Sequence, residues 1–141
     1  MKFPEAHDFA YDSDFQHWFA CIENEWIDIL IPSHDSTELP EQKIQFIKFA
    51  EPVISELTEF GFKYIEYFSK VDLKNGGLNS IRYNELNGIA YIELQYVFEN
   101  DQYYLWSVGF EKNPLHGFLL DVKSQQLDYG YSAIILHREP I

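Results

Sequence analysis

The dipeptide Asn87-Gly88, set between two alternating apolar runs, constrains this chain more than any other feature. Both central residues of a tight type I′ turn need positive φ, and Asn-Gly meets that need best. After it, "IAYIELQYVFE" puts Ala90, Ile92, Leu94, Tyr96 and Phe98 on one face. Tyr91, Glu93, Gln95 and Glu99, with Ile89 and Val97, fall on the other. Folding about the turn sets Ile81 against Leu94 and Tyr83 against Ile92 on the core face, and Arg82 against Glu93 on the outer face, a favourable cross-strand charge pair. In the next run, "YYLWSVGFE", a three-residue loop Asn100 to Gln102 sets Tyr104 against Phe98, Trp106 against Tyr96 and Val108 against Leu94. A two-residue turn would reverse every side chain, so a longer loop or a bulge is expected. "FKYIEYFSK" before Asn75-Gly76-Gly77 reads as a further strand, and "GFLLDV" and "YSAIILHR" supply two more.

N-terminal to Gly61 the period is helical. In "SDFQHWFACIENEWIDILIP", Phe15, Trp18, Phe19, Ile22, Trp26, Ile29 and Leu30 share a ~120° helical arc. Ser13 and Gln16 form a capping-box pair and Pro32 stops the run. The same residues fit a hairpin turning at Asn24-Glu25, with Trp18, Ala20 and Ile22 facing Ile31, Ile29 and Ile27. Asn-Glu is a poor two-residue turn without glycine, so the helix is favoured over the hairpin. A second helix carries Phe46, Phe49, Ala50, Val53, Leu57 and Phe60 within ~100° of arc. Ser36 or Thr37 suits its N-cap, Gly61 its C-terminal stop, and Pro52 predicts a kink or break near Ala50–Glu51. The expected architecture is a single α+β domain over 1–141. An N-terminal helix pair packs on one face of an antiparallel meander of about five or six strands.

Composition narrows the function classes. Cys21 is the only cysteine, so no internal disulfide or multi-cysteine metal site forms, and a buried or half-buried structural thiol is expected. The N-terminus lacks the apolar core of a signal peptide and no apolar run approaches the ~20 residues of a membrane span, so a cytoplasmic location is expected. The net charge of −13 opposes binding to phosphate backbones and anionic lipids. The charge is also lopsided. Residues 1–42 hold ten acids against Lys2 alone, and no base occurs between Lys2 and Lys43. A soluble surface accounts for net charge but not for this asymmetry.

Motifs for chemistry are weak. The five histidines are scattered without ligand spacing, and His34-Asp35 reads as a solvated loop. Asp12-Ser13-Asp14 begins like a calcium loop, with Glu23 at loop position 12, but the glycine and the ligands between are missing. Ser107 sits in no nucleophile elbow, and Asn75-Gly76-Gly77 lacks the Lys-Ser/Thr of a phosphate loop. No catalytic, metal or cofactor site is therefore expected. Tyr91, Val97, Tyr103 and Leu105 would share the sheet face opposite the helices. That face is too apolar to be simply wet; a covering segment, a second chain or a ligand would meet it.

In size, charge and α+β plan the chain resembles the small acidic immunity proteins of bacterial toxin–immunity systems, including contact-dependent growth inhibition. The resemblance implies a tight complex with a cognate basic toxin domain, often a nuclease, whose active site or substrate groove is blocked. The expected partner-binding residues are Glu23, Glu25 and Asp28 on the outward side of the first helix, and Asp35, Glu38 and Glu41 in the connection after it. Two other readings stand beside this one. One is a nucleic-acid mimic that inhibits a DNA- or RNA-binding protein. The other is a small enzyme or ligand-binding domain with an aromatic pocket between helices and sheet. Oligomeric state is left open.

Overall fold

Asn87 and Gly88 both take positive φ, 52° and 80°, and join two antiparallel strands. These are β4 (Gly77–Leu86) and β5 (Ile89–Val97), in a computed structural model that describes residues 1–70, 72–112, 126–127 and 130–141. Their register is the expected one: Ile81 opposite Leu94, Arg82 opposite Glu93, Tyr83 opposite Ile92. A 3₁₀ turn over Glu99–Asp101 leads into β6 (Tyr104–Lys112), which pairs Trp106 with Tyr96 and Val108 with Leu94, again as read from the alternation. "YSAIILHR" lies in β8 (Tyr131–Pro140), which pairs with β6. "GFLLDV" lies outside the described residues.

The N-terminal helix pair does not exist. The stretch from Ser13 to Pro32 forms the hairpin instead, built from β2 (His17–Cys21) and β3 (Asp28–Pro32), with a short β1 (Ala10–Asp12) outside β2. Its register sets Trp18 against Ile31 and Ala20 against Ile29. The helix reading failed on the turn. The loop spans four residues, closed by Ile22 N–H donating to the Ile27 carbonyl, and Asn24 itself adopts the left-handed region at φ 63°. Asparagine tolerates that conformation, so no glycine is needed. The β-branched Ile22, Ile27, Ile29 and Ile31 favour strands and are all buried. The Ser13–Gln16 pair caps no helix; Gln16 takes φ 52° in the β1–β2 turn.

The helical part is one run, α1 (Glu41–Lys48), a 3₁₀ turn at Glu51–Val53, and α2 (Ile54–Ser69). The break falls where Pro52 removes a backbone donor. It also rotates the apolar stripe, so Phe49 is exposed beneath the Lys112 ammonium instead of buried. Neither Ser36 nor Thr37 caps α1, whose N-cap is Pro40. Gly61 is no stop. It lies inside α2, where a Cβ would stand 1.9 Å from the Tyr96 hydroxyl, which donates to the Thr58 carbonyl. "FKYIEYFSK" therefore continues the helix, and Asn75-Gly76-Gly77 leads into β4 without joining two strands.

Among the described residues the sheet has eight strands in the order β1-β2-β3-β4-β5-β6-β8-β7, where β7 is the two-residue Gln126–Leu127. The expected meander of five or six antiparallel strands is thus replaced by a mixed sheet, because β3 and β4 run parallel. A parallel neighbour needs a crossover, and α1 with α2 supplies it. The helices cover the inner face, where Leu57 and Ile65 of α2 join Ile81, Ile92, Leu94 and Val108 of the strands in one buried core.

Candidate partner-binding surface

The lopsided charge of the sequence becomes a spatial asymmetry. Residues 1–42 build β1, β2, β3, the connection that follows and the start of α1, so their acids collect along one side of the sheet. Among the described residues only Glu5, with Lys48 at 2.5 Å, and Asp8, with His7 at 3.5 Å, meet a basic side chain. Lys48 holds the Glu5 carboxyl below its ordinary range.

The structure does not bring the six expected partner-binding residues together, and none lies on a helix face outward of β2. Glu23 and Glu25 sit in the β2–β3 turn just before Trp26, whose surface is 97% exposed. The helical reading put Trp26 in the core; the turn turns it out. Asp28 opens β3 opposite Cys21. Cys21 is exposed, not buried or half-buried as expected. Asp35, Glu38 and Glu41 lie beyond the other end of β3, five residues or about 17 Å along the strand. They line a groove of about 520 Å³ together with Lys43. Asp35 is fixed there by the Thr37 hydroxyl (2.6 Å) and backbone N–H (2.8 Å), which hold its carboxyl below the usual range.

Sequence reasoning missed a second feature, on the outer face of the sheet. A groove of about 410 Å³ is walled by Phe15, Phe19, Leu30 and Leu105, with His17, Asp12 and Asp28 along it. The Phe15 and His17 rings stack at 5.8 Å, and Phe19 meets His17 edge-on at 6.0 Å. The signal was available in the hairpin register: His17 and Phe19 alternate with the core residues Trp18 and Ala20. The groove floor is polar and buried. A bulge at Asn79 turns Ser80 to this face, and its hydroxyl donates to Gln95 Oε1 at 2.5 Å.

Further along β5 the outer face is self-satisfied. Glu93, 1% exposed, accepts from Gln95 Nε2 at 2.9 Å and from Asn84 Nδ2 at 3.4 Å, with Arg82 Nη1 at 3.8 Å and His137 Nε2 at 3.7 Å. Of the four residues expected to make this face apolar, Tyr91 is buried, its ring packed where a Cβ on Gly109 would stand, and burial pushes its hydroxyl pKa up. Val97 and Leu105 are half-buried, and Tyr103 lies in the turn before β6, exposed. Ser107 Oγ is buried without a hydrogen-bond partner among the described residues.

Between helices and sheet lies a depression of about 240 Å³, lined by Phe62, Glu66, Leu73, Gly76 and Phe98, with no histidine or nucleophile in that lining. No three His, Cys, Asp or Glu among the described residues converge as metal ligands, and no described helix is long and apolar enough to cross a membrane. No known protein family, curated protein or solved structure matches the chain.

Proposed function

We propose that this chain is a non-catalytic binding protein that captures a basic protein partner, in the manner of an immunity protein that neutralises a toxin domain such as a nuclease by covering its active site or substrate groove. The observation that carries the reading is the β2–β3 turn, where the exposed Trp26 follows two carboxylates, Glu23 and Glu25, that meet no basic side chain among the described residues. A bare aromatic with an acidic rim is costly to leave in water and well suited to an interface. The ring supplies the buried anchor, and the unpaired charge steers a positive surface toward it.

The test is capture. The immobilised wild-type chain and a Glu23→Lys/Glu25→Lys variant are exposed to lysate of the source cell at moderate salt. Wild type should retain one basic protein that the variant releases. Retention by both, or of no basic protein by either, overturns the proposal. Retention of many unrelated basic proteins, collapsing together as salt rises, would replace it with nucleic-acid mimicry.

A further inference from the structure

We infer that the outer-face groove is the seat for an extended, arginine-bearing segment of that basic partner. The inference rests on the proposed function and names the part of the surface that reads the partner's side chains. Three observations support it. The first is charge. Asp12 and Asp28 both line the groove, and neither meets a basic side chain among the described residues. Asp12 Oδ1 is used by the backbone N–H groups of Asp14 (2.9 Å) and Phe15 (3.4 Å), and no donor among the described residues reaches Oδ2.

The second is the rings. Two other rings carry a cation of the protein itself: Arg138 lies 3.4 Å above Tyr104 and Lys112 3.3 Å above Phe49. Among the described residues no cation lies over the Phe15–His17–Phe19 row, and Asp12 and Asp28 line the same groove. A guanidinium suits such a row better than an ammonium, because it is planar, stacks on aromatic faces and forks onto carboxylates.

The third is shape. The groove crosses the strands from β1 to β6 and ends on the buried Ser80–Gln95 pair, so a rigid polar floor faces the occupant. Its volume of about 410 Å³ lies in the range of specific binding clefts. Beyond Phe15 the character reverses: His34, Lys43 and Arg82 line a separate depression, which bounds the acidic stretch.

The experiment uses the full ¹⁵N-labelled chain and a blocked five-residue peptide alternating arginine and valine, with a citrulline-for-arginine twin as the neutral control. Amide shifts should centre on β2, β3 and Gln95. Affinity should fall about tenfold or more, roughly 1.4 kcal/mol, for the citrulline twin and for Asp12→Asn/Asp28→Asn. Asparagine keeps the Oδ1 acceptor of the β1–β2 turn, so that variant should stay folded. Glu56→Gln/Glu66→Gln, which removes the same charge from exposed positions on α2, should leave affinity unchanged. Shifts centred on Glu23–Trp26 or on Asp35–Glu41, or equal losses in both double variants, would overturn the groove while leaving the capture of a basic partner standing. No binding of the arginine peptide at any site would overturn both.

Discussion

Carboxylates in the two halves of this molecule can live in different electrostatic states. On β5 and in the turn before β6, two of them are answered. Glu93 sits between Arg82 and His137, and Asp101 takes a two-pronged bond from Arg138, through Nε at 3.0 Å and Nη2 at 2.8 Å. Among the described residues the acids of β1, β2, β3 and the connection to α1 meet no basic side chain; Glu5 and Asp8, which precede β1, do. Mutual repulsion among unpaired acids weakens a fold slightly. Glu93 and Asp101 therefore use charge to hold the sheet, whereas the unpaired N-terminal acids take no such part in it. Two tryptophans mark the contrast: Trp26 of the N-terminal half is exposed, while Trp106 is buried with its Nε1 donating to Asp101 at 2.8 Å.

The strongest way to break this comparison is to remove the buried acid. Glu93→Ala strands the Gln95 amide in a buried site and leaves Arg82 and His137 without their carboxylate. The expected cost is about 2–4 kcal/mol, read as a lower urea midpoint. Glu93→Gln keeps the shape and most of the hydrogen bonds and should cost less. A loss below about 1 kcal/mol for the alanine variant would mean that the sheet does not depend on this pairing.

How far the two halves were legible differs for a physical reason. The β4–β5–β6 register could be read because a favourable turn dipeptide and strict alternation agreed, and each strand had only to match its sequence neighbour. The N-terminal hairpin was ambiguous because helical and alternating periods both fit it. The deciding fact, Asn24 in the left-handed region, is a property of one turn. Gly61 misled for a tertiary reason. Local rules make glycine a helix stop, yet here it is a notch for the Tyr96 ring, which comes from a strand 35 positions away. The six acids of the candidate surface were visible as a composition bias, but their separation by β3 was not, since a helix would have placed half of them on one face.

A smaller effect separates the halves by pH. The Arg138 bonds, aided by Trp106, hold the Asp101 carboxyl below its ordinary range. Because the folded state resists protonation there, the stabilisation is complete above the unfolded carboxylate pKa of about 4 and is lost as pH falls through the lower folded value. Wild type should therefore weaken from about pH 4 downward. Asp101→Asn should be less stable at neutral pH and show a shallower acid limb in urea midpoints taken across that range. Glu5 and Asp35, also held low, should keep the limb from vanishing. An unchanged acid limb would remove Asp101 from the paired set.

The smallest expected change is the most diagnostic. Glu23 and Glu25 project from a turn into water and meet no base among the described residues. Glu23→Gln/Glu25→Gln should shift the unfolding free energy by no more than about 0.5 kcal/mol, in either direction. The hairpin gives the physical reason. Its stability comes from Ile22, Ile27, Ile29 and Ile31 on the inner face and from the ladder between β2 and β3, none of which involves these carboxylates. A loss of more than about 1 kcal/mol would show that the turn acids stabilise the fold after all. The contrast between the halves would then be one of geometry, and the bare charge would need no partner to explain it.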